Sequence, residues 1–148
     1  MNDSPTLIGL LDQFHRGRVV CLGDLMVDRY IYGAIDRISP EAPIPIIRIE
    51  REETMLGGVG NVARNVGAAG GRARLLAIHG EDDSGNDVKG LIASMQNVQA
   101  ELVVEPARTT TLKTRYIAAG QQMLRADHET TEDISAEACE NLLSRLEK

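Results

Sequence analysis

The run Gly57-Gly58-Val59-Gly60-Asn61-Val62-Ala63 decides how this chain is read. Its glycines open a helix whose apolar positions, Val59, Val62, Ala63, Val66 and Ala69, keep helical spacing, and Gly70-Gly71 closes it. Residues 58–63 satisfy the Gly-x-Gly-x-x-Ala form of the dinucleotide fingerprint, and the acidic Glu81 and Asp82 follow about twenty residues on. That fingerprint has to leave a buried strand directly. Here Glu50-Arg51-Glu52-Glu53-Thr54 comes before it, a stretch too polar for such a strand. Two other readings remain: a glycine-rich helix start with no ligand, or a binding loop for a ligand of another class. Glycines let backbone approach a ligand closely, and a helix N-terminus offers unpaired amides.

Toward the N-terminus, Ser4-Pro5 reads as a helix cap followed by proline at the first helical position, with Leu7, Ile8, Leu11 and Phe14 on one face. The run Arg18-Val19-Val20-Cys21-Leu22 predicts a strand buried on both sides in a parallel sheet. It ends in Gly23-Asp24, and polar residues at the carboxyl end of such a strand lie where open α/β sheets bind ligands. Tyr30-Ile31-Tyr32 and the stretch 44–49 predict further strands. Pro43 and Pro45 exclude a central strand from the second, so the segment reads as an excursion outside the main sheet.

Toward the C-terminus, Arg74-Leu75-Leu76-Ala77-Ile78 predicts a second buried strand. Ser84 then caps a helix carrying Val88, Leu91, Ile92 and Met95, and Leu102-Val103-Val104 makes a third strand. The β-branched run 110–117, the turn at Gly120 and the return at 122–127 predict a hairpin. Ser135 caps a last helix with Ala138, Leu142, Leu143 and Leu146 expected inward. That helix reaches Lys148 with no following strand, so the chain reads as cut rather than finished.

The balance of 16 basic and 22 acidic residues leaves a net charge of -6, which gives no help toward phosphate backbones or anionic lipid. Neither a nucleic-acid nor a membrane partner is expected. Cys21 and Cys139 lack metal-ligand spacing and read as reduced thiols, and no metal site is expected. With no long apolar run and no basic leader before Ser4, the chain is expected in the cytoplasm. Its 148 residues suit one cored domain.

Asp28 and Asn61 are the candidate sugar ligands. A carboxylate accepts from two adjacent hydroxyls, and an amide both donates and accepts. Lone residues of these types near turns are more often structural, so the pair carries little weight by itself.

With Leu22-Gly23-Asp24, Asp28 and Gly57-Gly58-x-x-Asn61-x-Ala63 in place, the chain resembles the N-terminal signature of the ribokinase-like carbohydrate kinases. The stretches 28–33, 37–43 and 121–127 are similar to the heptose-7-phosphate kinase branch, whose kinase domain is often fused to an adenylyltransferase. The resemblance implies a three-layer α/β/α fold with a small β-lid, here about residues 29–50 and 109–127. It implies that Asp28, Gly57, Gly58 and Asn61 hold sugar hydroxyls, and that Lys113, Arg115 or Arg125 holds a 7-phosphate. A solvated basic ribbon is the plain alternative for those three. It implies ATP and Mg2+ as cosubstrates and lid-to-lid pairing of subunits.

The same resemblance implies a Gly-x-Gly-Asp segment whose aspartate is the catalytic base, and this sequence has none. No catalytic residue is therefore expected within it, and the chain alone is expected to be inactive. A dinucleotide-binding domain and a non-catalytic dimerisation module stay open as competing readings.

Overall fold

The computed structural model describes Gly9 and residues 12–147. Most of the helix expected over residues 4–14 lies outside the described residues; Phe14–Arg16 is a short 3-10 turn that Gly17 ends.

Among the described residues, seven strands form two sheets. The first is parallel, in the order β1 (Arg18–Leu22), β4 (Arg72–His79), β5 (Val98–Val104). The second is mixed, in the order β3 (Pro45–Gly58), β2 (Leu25–Ile38), β6 (Thr111–Ala118), β7 (Gln121–His128). Helices described in full are α1 (Val59–Ala68), α2 (Asp83–Ala93) and α3 (Ala136–Leu146).

The central strand β4 is covered on both faces, since the adjacent Leu75 and Leu76 are both fully buried. Successive strand side chains point to opposite faces, so Ala73, Leu75 and Ala77 join Cys21, Ala63 and Val88 in a core beneath α1 and α2. On the other face, Arg74 donates to the Arg145 carbonyl at the end of α3, and Arg145 reaches the Leu102 carbonyl at 3.3 Å. Helices thus lie on both sides of the parallel sheet, giving the expected three layers. The excursion and the hairpin form the expected second sheet.

Several local readings change. The edge strand β1 leaves Val19, Val20 and Leu22 substantially exposed, because among the described residues it pairs only with β4. Residues 50–54, too polar for a buried strand, are strand all the same. They lie in β3, antiparallel to β2, where half-exposure suits alternating charge. The glycine run therefore enters α1 from the second sheet and not from the parallel one, and the dinucleotide topology is absent. Asp82 and not Ser84 caps α2, its carboxylate accepting from the Gly85 amide at 2.7 Å. Ser135 does cap α3, accepting from Ala138 N at 3.1 Å. Of the apolar stripe expected inward on α3, Ala138 is buried, whereas Leu143 is 50% exposed and Leu146 is also exposed.

Candidate functional site

Strand β2 leaves the Gly23-Asp24 bend at the end of β1 and runs unbroken into the second sheet. Its alternation puts Asp28, Tyr30 and Tyr32 on one face and buries Val27 and Ile31 on the other. The buried face meets α2, to which Arg29 is tied by a 3.1 Å ion pair with Asp87. Asp28, Tyr30 and Tyr32 lie on the opposite face.

Asp28 stands opposite Met55 on β3 and Lys113 on β6. Its Oδ1 accepts from Arg115 Nη1. Its Oδ2 lies so near Gly57 that a Cβ there would collide with it. Gly57 is glycine because the carboxylate occupies the side-chain space. Gly58 has φ +55 and packs against the Asp24 carbonyl, which also accepts from Val59 N at 2.9 Å. Glycine tolerates this left-handed backbone at little cost. The sequence-predicted Asp28, Gly57 and Gly58 are therefore brought together.

Asn61 lies in the first turn of α1, where its Oδ1 accepts from Arg64 Nη2 at 2.7 Å. Its side-chain carbonyl is engaged within the helix and does not meet Asp28.

The three basic candidates share the Asp28 face but differ in surroundings. Lys113 donates to Asp127 Oδ2 and Glu129 Oε2, each at 3.0 Å. The bonds to Glu129 and Asp127 raise its pKa, outweighing burial. Arg115 is raised by its bond to Asp28, and its guanidinium lies 5.1 Å from the centre of the Tyr30 ring. Arg125 pairs with Asp127 Oδ1 at 2.9 Å. The bond from Lys113, with Arg125 adding to it, holds the Asp127 carboxyl below its usual range.

A cleft of about 840 Å3 opens at the carboxyl ends of β1 and β4, below the second sheet. Gly23, Asp24, Met26, Thr111, Lys113 and Glu129 line it, whereas Asp28, Gly57, Gly58 and Asn61 do not. Of the predicted residues, only Lys113 reaches it.

Two features escaped the sequence reading. Tyr30 underlies Arg115 and stacks on Tyr32, with ring centres 6.4 Å apart; the period-two spacing of Asp28, Tyr30 and Tyr32 was the available signal. The second is the base of the lid. Asp82 accepts from Thr110 N at 2.8 Å, while Thr110 Oγ1 accepts from Gly80 N at 2.8 Å. Burial pushes the Asp82 carboxyl up, but the hydrogen bonds from Thr110 and Gly85 outweigh it and leave the pKa lowered. No signal in the sequence joins Asp82 to a residue 28 positions away.

No protein-family model matches the chain. Among curated proteins, it is 58% identical over 111 residues to the bifunctional protein HldE of Caulobacter vibrioides, covering 75% of this chain and 23% of that protein. It is 42% identical over 148 residues to the bifunctional protein HldE of Paramagnetospirillum magneticum, covering 100% and 30%. The chain thus spans under a third of the length of these relatives. Among solved structures, Escherichia coli phosphofructokinase-2 in complex with substrates and products matches with TM-score 0.65 and 22% identity, over 89% of this chain and 41% of that one. Ribokinase of Cryptococcus neoformans in complex with ADP matches with TM-score 0.53 and 24% identity, over 76% and 34%. This chain has the fold of the ribokinase-like carbohydrate kinases, and in sequence it is similar to part of the bifunctional proteins HldE.

Proposed function

We propose that this chain is the acceptor-binding part of an ATP-dependent sugar kinase acting on D-glycero-β-D-manno-heptose 7-phosphate. The complete enzyme would phosphorylate O1 to give the 1,7-bisphosphate, toward ADP-heptose and the lipopolysaccharide core. One observation carries the reading: a carboxylate, Asp28, set on β2 between an arginine and a side-chain-free backbone. Such a group accepts from paired hydroxyls without having to be ordered at the moment of binding. Gly58 beside it brings backbone close to the same space, and Asn61 adds an acceptor if its Oδ1 exchanges Arg64 for ligand. The HldE relatives support a heptose substrate, and kinase neighbours in complex with ADP or ATP support nucleotide use.

Among the described residues no group of three acidic, histidine or cysteine side chains could hold a metal ion, and the sequence has no Gly-x-Gly-Asp loop. Nucleotide and metal are assigned to no residue here, and no step is derived through them. What this chain supplies is the position of the acceptor.

The second sheet is proposed to act as a lid that pairs with its counterpart in another subunit. Exposed Ile38, Ile44, Ile49 and Leu124 on its strands and loop support that pairing. A cytoplasmic enzyme agrees with this reading, and no helix among the described residues is long and apolar enough to cross a membrane. The test is a phosphorylation assay on the complete polypeptide with ATP and heptose 7-phosphate, followed by phosphorus NMR. A second, anomeric phosphate signal is expected; its absence with well-folded protein refutes the proposal.

A further inference from the structure

Arg64 donates to the side-chain oxygen of Asn61 at 2.7 Å, and the two stand three positions apart on α1, a spacing that makes helix residues neighbours. A guanidinium carries donors only, so the amide atom it meets has to be Oδ1 and not Nδ2. This settles which way round the amide lies. Nδ2 keeps both of its hydrogens, and none of the described residues accepts them. Without Arg64 the amide would turn between two settings, because the terminal torsion of an asparagine is broad and roughly two-fold. Arg64 itself stands behind the site. It lines a cavity of about 410 Å3 with Leu56, Gly67, Leu91 and Met95, and neither Asp28, Gly57 nor Gly58 lines that cavity.

We propose that Arg64 is a positioning residue that sets Asn61 as a hydrogen-bond donor to the acceptor sugar, opposite in sense to Asp28. This rests on the sugar-kinase reading above. A carboxylate only accepts, so Asp28 takes hydrogens from hydroxyls. An amide held by its oxygen donates, so Asn61 gives a hydrogen to a hydroxyl oxygen. A polyol that has given hydrogens to Asp28 still has lone pairs for Nδ2, and the two side chains read it in complementary senses. The guanidinium also polarises the amide through Oδ1, which makes the Nδ2 hydrogens better donors. Exchange of Arg64 for ligand at Oδ1 would instead make Asn61 an acceptor, and the test separates the two.

That test measures kcat/KM of the complete enzyme with ATP and heptose 7-phosphate, with the melting temperature alongside. Asn61→Asp removes the donor and keeps a partner for Arg64. A carboxylate also suits the first turn of a helix, so this variant is expected to fold. It is expected to lose as much kcat/KM as Asn61→Ala, roughly two- to tenfold. Wild-type kcat/KM in Asn61→Asp overturns the proposal, because an acceptor would then serve at that position. Arg64→Met keeps an apolar stem without the donors and is expected to lose kcat/KM to a similar extent, which Arg64→Lys largely restores. Added to Asn61→Ala, Arg64→Met is expected to cause no further loss, since its effect passes through Asn61. A fully additive loss in that double variant overturns the positioning role. If the wild type does not phosphorylate heptose 7-phosphate, the kinase reading fails and this inference falls with it.

Discussion

Asp28 and Arg115, 87 positions apart in the chain, meet as a part-buried ion pair across β2 and β6. Strand β6 pairs with β2 in parallel, so the register Tyr30↔Arg115 sets the arginine one step beyond Asp28 on the same face. The guanidinium holds the carboxylate on one side, and a Cβ at Gly57 would collide with it on the other.

Replacing Asp28 by Asn should test that positioning. A charge-assisted hydrogen bond contributes about 1.5–3 kcal/mol, so kcat/KM of the complete enzyme should fall by roughly ten- to a hundredfold. The asparagine still fits beside Gly57, so the fold should be retained, with the melting temperature lowered by loss of the Arg115 ion pair. Unaltered steady-state kinetics would remove Asp28 from the site.

Gly57→Ala should act through Asp28. The backbone at Gly57 is not left-handed, so alanine is tolerated conformationally, but its Cβ enters the space of the Asp28 carboxylate and of Met26. Overpacking of this kind costs about 1–3 kcal/mol. The expected result is a moderate loss of thermal stability and a loss of activity close to that of Asp28→Asn. If activity is lost additively when both changes are combined, the coupling is absent.

Acid should loosen the lid base through Asp82. Its folded pKa is lowered, so it binds a proton less readily folded than unfolded. Its contribution to stability is then present above the unfolded carboxylate value of about 3.9 and is lost as pH falls through the lower folded value. Asp82→Asn should flatten that part of the stability-versus-pH curve and remove part of a helix cap, which contributes about 0.5–2 kcal/mol. Denaturant melts between neutral pH and about pH 3 would show it; identical curves for variant and wild type would dismiss the carboxylate as the cause.

The 148-residue chain alone should show no ATP-dependent phosphorylation of heptose 7-phosphate above background. The sequence has no Gly-x-Gly-Asp segment to supply a base and an anion hole, and those parts supply much of the rate of phosphoryl transfer. Exposed Leu143, Leu146, Val20 and Leu22 should bind an apolar dye. Robust turnover would mean that the catalytic base lies within residues 1–148 after all.

Periodicity and turn chemistry in the sequence determined the strand at Arg18–Leu22, the helix opened by Gly57–Asn61, the cap at Ser135 and the two excursions, because these depend on neighbours only a few positions away. The motif around Asp28 and Asn61 likewise marked the candidate ligands. Tertiary structure decided the rest. Polar residues 50–54 are strand because a lid sheet tolerates an exposed face, which local polarity alone cannot distinguish from a loop. Asp82 displaces Ser84 as the cap because Thr110, brought from 28 positions away, shares its carboxylate. The three basic residues of the ribbon are equivalent in sequence and become different only in the folded sheet. Strand register gives Lys113 two carboxylates, gives Arg115 the Asp28 partner and leaves Arg125 half exposed, since the free energy of a charge depends on which groups surround it and on its access to water.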